Sequence, residues 1–246
     1  MSLDEPVTEP PVSGLRAFER VLHWVDERIL SGDLGVGDHL PPERELARLL
    51  EVSRAAVREA VRTLQAQGVA RSAVGTGATA GTTITSVSAH ALTRLLRLHV
   101  ALANFPLPDV VEVRISLERL SARLAATHAS AEDLAAMRHA LDVMAEPGIT
   151  RERFNDADTA FHVAIAAAAG NLLAADMTVA IRESMRLPIL DRFRRLAAWE
   201  DVVADLSRDH EAIYAAISGG RADEAELAVE SHVRSAWQTL TATEQS

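Results

Sequence analysis

One stretch, residues 41–81, constrains this chain more than any other: PPERELARLLEVSRAAVREAVRTLQAQGVARSAVGTGATAG. Pro41-Pro42 leads into a short helix of about 43–50, because proline is accepted in a helix's first turn. Ser53 caps a second helix of about 54–67, and Gly68 ends it. Residues 69–73 and 79–84 are β-like, with Gly75-Thr76-Gly77 at the tip between them. Helix, tight turn, helix and hairpin in this order imply a winged helix-turn-helix, which lays its second helix in the DNA major groove.

That second helix has two stripes. Val57, Val61 and Leu64 form an inward face, and Arg54, Arg58 and Arg62 recur every fourth residue as an outward one. Ala55 and Ala56 are small enough to let the helix approach bases. Arg44, at the start of the preceding helix, is placed to reach a phosphate. The glycines at the tip let the hairpin backbone come near the sugar-phosphate chain. An arginine stripe by itself is usually a solvated face, here paired with Glu45, Glu51 and Glu59. The ordered conjunction of cap, stripe and hairpin within about forty residues favours DNA.

The net charge of −10 looks wrong for such a partner until it is divided. Residues 14–85 hold nine arginines and nine acids, whereas residues 86–246 carry a net −7. The acidity therefore lies mostly outside the DNA-binding segment. Every fixed side-chain cation is an arginine, since the sequence contains no lysine. With no cysteine, disulfides, thiolate metal sites and cysteine nucleophiles are excluded. No run approaches the ~18 apolar residues of a membrane span, and the acidic, Pro-rich start does not read as a signal peptide. A soluble cytoplasmic protein with no membrane partner is expected.

The expected organisation is mainly α. A disordered tail covers 1–13 and a winged helix-turn-helix covers 14–84, opened by a helix that Ser13 caps and that runs to about Leu30. A linker of 85–90 follows. An all-α antiparallel helical bundle then fills 91–243, with breaks expected at Asn104-Phe105-Pro106, Pro147-Gly148, Gly170-Asn171, Pro188 and Gly219-Gly220.

Within that bundle Asp158 and His162 stand one helical turn apart, so both can face one ion. His210 precedes the Gly219-Gly220 break by about ten residues and His232 follows it by about twelve. In an antiparallel hairpin rising ~1.5 Å per residue, their heights match within roughly one turn. Three imidazoles and a carboxylate suit a borderline divalent ion such as zinc, nickel or manganese. On spacing alone, ordinary helical histidines are the better reading of the same four residues. Arg114 is either a surface partner of Glu118 at i, i+4 or a guanidinium that clamps a carboxylate in the bundle. Asn171 either orients such a ligand or caps the helix after Gly170.

The chain resembles the GntR family of bacterial transcription regulators. The matching words are Leu40-Pro41-Pro42-Glu43-Arg44-Glu45-Leu46-Ala47, Val52-Ser53-Arg54, Val57-Arg58-Glu59-Ala60, Leu64, Gly68 and Gly75-Thr76-Gly77. The resemblance implies phosphate and base contacts by Arg44, Arg54 and Arg58, with Gly75 against the minor groove. The chain departs from the pattern at Ala55 and Ala56, where relatives often carry hydroxyls. Residues 90–240 are similar to the FadR-type ligand domain, through Val113-Arg114, Leu117-Glu118, Phe161-His162, Ala168-Ala169-Gly170-Asn171, Asp209-His210-Glu211 and His232. The resemblance implies an antiparallel bundle whose ion is held at positions matching Asp158, His162, His210 and His232, with effector contacts by Arg114 and Asn171.

The function expected is a metabolite-responsive regulator that acts as a repressor. It would bind an inverted-repeat operator in double-stranded DNA as a homodimer and respond to a small organic acid. The alternative is a metal-dependent enzyme acting on a small carboxylic acid. Against it stand the lack of an obvious general base, the absence of a His-Glu-x-x-His motif and the DNA-binding segment itself. A third reading, an architectural DNA-binding protein, predicts neither metal nor effector.

Overall fold

The structure is a computed structural model that describes residues 15–73, 81–85 and 89–242. Backbone contacts divide the chain into two compact units, residues 1–91 and 92–246.

The first unit contains α1 (Ala17–Leu30), α2 (Glu43–Leu49), α3 (Arg54–Ala66), β1 (Ala70–Ala73) and β2 (Gly81–Ile84). The strands pair antiparallel, with Ala70 opposite Ile84 and Ala73 opposite Gly81. Val21 and Val25 of α1, Leu46 of α2, Val57, Ala60 and Leu64 of α3 and Ile84 of β2 form its core. Three short helices and a hairpin thus share one apolar centre, which fixes the direction of α3. The Ser53 cap forms as expected, its Oγ accepting the Ala56 N–H at 3.1 Å. Gly68 takes a φ of +77° just past α3, which suits glycine. The Gly75-Thr76-Gly77 tip and Ser13 lie outside the described residues. The residue that opens α1 is Arg16, whose backbone N–H donates to Glu19 Oε2 at 2.8 Å.

The second unit is built on α4 (Ala89–Ala101), α5 (Leu107–His128), α6 (Ala131–Met144), α7 (Arg151–Ala168), α8 (Leu172–Arg195), α9 (Trp199–Ser218) and α10 (Ala222–Ala242). Ser130, Thr150 and Asn171 cap α6, α7 and α8 by accepting a backbone N–H from the first turn. Ala122 and Ala125 of α5 and Ala225 of α10 are completely buried, and such small side chains let two helices approach closely. Ion pairs Arg119–Glu226, Arg123–Glu226 and Arg234–Glu112 run along the same α5–α10 seam. They are partly exposed, so they add register more than stability. At one end Phe154 of α7 meets Phe193 and Trp199 edge-on, with centroids 6.0 and 5.5 Å apart.

The break expected at Pro188 does not occur. α8 runs unbroken from Leu172 to Arg195 with Pro188 inside it. A proline removes one helical hydrogen bond and costs ~3 kcal/mol in a helix interior. Tertiary contacts offset that cost: Met185, Ile189, Leu190 and Phe193 are all buried around it. The Asn155 amide of α7 also donates to the Arg186 carbonyl at 3.1 Å, and Arg192 donates to the Pro188 carbonyl at 3.3 Å. Among the described residues no helix is long and apolar enough to cross a membrane.

Phe154 is fully buried where α7, α8 and α9 converge. Phe154→Ala is expected to lower unfolding free energy by about 3–5 kcal/mol, measured by urea denaturation. A loss under about 1 kcal/mol would mean the site collapses around the smaller side chain.

Candidate metal centre

Asp158 and His162 face inward from α7, His210 from α9 and His232 from α10, and all four are buried. The ligand atoms they offer lie within 4.8 Å of one another. Asp158 Oδ1 is 3.1 Å from His210 Nε2 and 3.7 Å from His162 Nε2. The rings of His210 and His232 have centroids 4.3 Å apart. Buried polar atoms are nearly always hydrogen-bonded. Here His162 Nε2 and His210 Nδ1 have no such partner among the described residues, and His210 Nε2 and His232 Nδ1 lie near Asp158 Oδ1 and, at 3.5 Å, Asp209 Oδ2 without hydrogen-bond geometry. Four inward groups with unsatisfied nitrogens at this spacing fit a divalent cation.

A second layer of charge surrounds the four. His162 Nδ1 lies 2.6 Å from Glu118 Oε2 on α5. A proton held on Nδ1 by that carboxylate leaves the Nε2 lone pair facing the cluster. Glu118 Oε1 accepts from Arg114 Nε at 2.7 Å. Arg114 and Glu118 therefore do pair at i, i+4, but in the interior, 7% and 3% exposed, and not at the surface. Arg182 of α8, 1% exposed, donates from Nη2 to Asp158 Oδ2, and its Nη1 lies 3.7 Å from Glu118 Oε1.

The electrostatics follow from burial and pairing. Burial alone would raise the pKa of Asp158, but the Arg182 guanidinium and the His210 contact together hold it well below the usual carboxylate range. Glu118 balances burial against Arg114, His162 and Arg182 and is likewise held low. Burial, and then Arg182, push His162 down to about 3. Burial, and then His210, push His232 down to about 4. Both rings are thus neutral near pH 7, the form in which imidazole binds metal.

A cavity of about 270 Å³ opens beside the cluster. Arg114, Asp158 and His232 line it with Ser235 and Thr239, against an apolar wall that includes Phe193. Asn171 is not in that lining. It is exposed, and its Oδ1 accepts the Ala174 N–H at 3.0 Å as the cap of α8. The effector contact expected of Asn171 is therefore replaced by a capping role.

In the first unit Arg44 is exposed, and the side chains of Arg54 and Arg58 are 60% and 51% exposed. Glu43 reaches the two α3 arginines only at 3.9 and 4.0 Å. Ala55 is exposed beside them. Ala56, expected on the same side, is turned inward and 7% exposed, one helical turn before the core residue Ala60. Gly75 lies outside the described residues.

Comparison with known proteins decides the family. The family "Bacterial regulatory proteins, gntR family" matches residues 18–79, and the FCD domain matches residues 109–235. The chain is 31% identical to the HTH-type transcriptional regulator LutR of Bacillus subtilis (strain 168), over 83% of this chain and 92% of LutR. The chain belongs to the GntR family. Its FCD domain places it in the FadR-type branch. It is 26% identical to the HTH-type transcriptional repressor NanR of Klebsiella aerogenes, over 94% of this chain and 88% of that one. The solved structure of Streptococcus agalactiae GntR is similar, with a TM-score of 0.52 at 25% identity, covering 89% of this chain and 98% of that one. As a GntR-family protein the chain is a DNA-binding transcriptional regulator and not an enzyme, with a ligand-binding FCD domain.

Arg182 escaped the reading from sequence. Its signal was present, since Thr178, Met185 and Ile189 stand four before, three after and seven after it and are all buried. An arginine in phase with that stripe must lie inside the bundle.

The lowered histidines set a pH dependence. Below their ordinary value of 6.5, the unfolded chain takes up protons that the folded His162 and His232 refuse. Stability is then full above about 6.5 and falls as pH drops toward 4, by up to ~1.4 kcal/mol per unit for each ring. Asp158 and Glu118 act in the same direction at lower pH. Urea midpoints of chelator-treated protein should fall between pH 7 and pH 5. A flat or rising midpoint would contradict neutral rings.

Proposed function

We propose that this regulator is a repressor that binds an inverted-repeat operator as a homodimer and is released by a small organic acid. Asp158, His162, His210 and His232 would hold a divalent ion in its FCD domain. The observation that carries the reading is the cluster of three buried imidazoles around one carboxylate, with ring nitrogens that make no hydrogen bond. The donor set of three nitrogens and one oxygen favours zinc or nickel, with manganese, a harder ion, behind them. Such an ion supplies a Lewis-acidic anchor for a carboxylate.

The protein's own groups do the rest. Arg114 lines the cavity and is held in place through Nε by Glu118, so it can meet an entering carboxylate without reorganising. Ser235 and Thr239 offer hydroxyls along the wall. The cavity of about 270 Å³ suits a small molecule. For DNA, Arg54 and Arg58 of α3 would reach base edges, Arg44 a phosphate, and Gly75 the minor groove. Dimerisation is supported by apolar side chains left exposed on α4, just past its end and on α8: Leu95 and Leu98, Leu102, and Leu187 are 56%, 50%, 72% and 63% exposed. The repressor reading draws on NanR, which its name calls a repressor. Effector and operator binding are coupled to the extent that each prefers a different arrangement of the dimer. A DNA partner supports a cytoplasmic location.

Arg54→Ala or Arg58→Ala is expected to weaken operator binding by ~1–3 kcal/mol in fluorescence anisotropy; wild-type affinity would remove α3 from the groove. The double change His162→Ala, His210→Ala should abolish bound metal in elemental analysis while far-UV circular dichroism stays helical. Full occupancy in that variant rejects the site.

A further inference from the structure

We propose that Arg182 is the positioning residue of the metal centre: by holding Oδ2 of Asp158 it leaves Oδ1 as the single carboxylate oxygen presented to the three imidazoles. The inference rests on reading the four-residue cluster as a metal site.

Two arginines enter this interior, and they are not equivalent. Arg114 lines the cavity; Arg182 does not. Arg182 therefore cannot serve as a second clamp for an effector. It approaches Asp158 from α8 and bonds the oxygen opposite the one that faces His210 and His162. Its Nη1 lies 3.7 Å from Glu118, the carboxylate that contacts His162 Nδ1. At that distance Nη1 makes no hydrogen bond to Glu118, so the hold of Arg182 falls on Asp158 alone.

The terminal torsion of an aspartate is broad and nearly two-fold. Without a donor on Oδ2 the carboxylate can swing, and no oxygen is preferred. A fixed donor removes that freedom before any ion arrives. Against this stands simple repulsion, because a guanidinium near a divalent cation lowers its affinity. Here the guanidinium charge is flanked by two carboxylates, Asp158 and Glu118, both within 4.0 Å. The two carboxylates oppose its field at the centre, and in this proposal orientation outweighs what repulsion remains. Partners of metal ligands typically contribute 10–100-fold to affinity.

The test uses the full chain, stripped with chelator and titrated with Zn²⁺ against a chromogenic competitor. Arg182→Met keeps length and apolar bulk but loses the donors. It should bind Zn²⁺ about 10–100-fold more weakly than wild type, and Arg182→Lys should recover part of that loss. Because Arg182 acts through Asp158, adding Arg182→Met to Asp158→Asn should change affinity no further. That double variant leaves no lone buried charge between the pair, so the comparison survives if Arg182→Met alone fails to fold. Equal or tighter binding by a folded Arg182→Met overturns the proposal in favour of repulsion. A further loss in the double variant overturns it in favour of a general structural role. If wild type itself takes up no Zn²⁺, the metal reading fails first and the proposal with it.

Discussion

Four charges buried in one bundle, Arg114 and Arg182 against Asp158 and Glu118, are the constraint on which the second unit depends. Taking ions out of water is expensive, and removing one member of such a set strands its partner at a cost of about 3–5 kcal/mol. The set stays tolerable because each cation has a carboxylate within bonding reach: Arg114 holds Glu118, and Arg182 holds Asp158. These residues come from α5, α7 and α8, while the histidines they surround come from α7, α9 and α10. Five helices therefore converge on a single polar point inside an otherwise aliphatic interior. Apolar packing alone tolerates sliding and substitution. A charge network allows little of either, and it sets the height at which each helix must stop.

Much of this was legible in the residues, and the exceptions are instructive. Ser53, Gly68 and the helix-turn-helix around them could be read because caps and stops are local chemistry, decided within four or five residues. Asp158 and His162 could be paired from spacing. His210 and His232 could be brought to the same height only by assuming the hairpin around Gly219-Gly220. Pro188 reads as a break because a proline's local cost is fixed, while the burial of Met185, Ile189 and Phe193 that offsets it comes from packing against other helices. Ala56 is next to Ala55 in sequence but not in phase with it; one step of helix turns it from solvent to core. Arg182 was passed over because an arginine suggests surface, and only its register with Thr178 and Met185 says otherwise.

The two units treat charge in opposite ways. The second buries Arg114, Glu118, Asp158 and Arg182 at its site and pairs them at bonding distance. The first leaves Arg54 and Arg58 in solvent with Glu43 only loosely across from them. A weak, exposed partner keeps the arginine stripe ordered enough to present and free enough to exchange for phosphate. Residues 14–85 of this unit carry no net charge. Attraction to DNA must then come from where the arginines stand on α3, and not from an overall positive field.

That contrast gives dissolved salt a selective action. At 0.15 M the Debye length is ~8 Å, which screens solvent-facing charges and hardly touches buried ones. Rising ionic strength would loosen the grip on phosphate steeply, through the counterions a duplex reclaims. It would leave the network around Asp158 nearly unchanged. The same molecule can thus lose its hold on the operator as ionic strength rises while its interior remains set to bind.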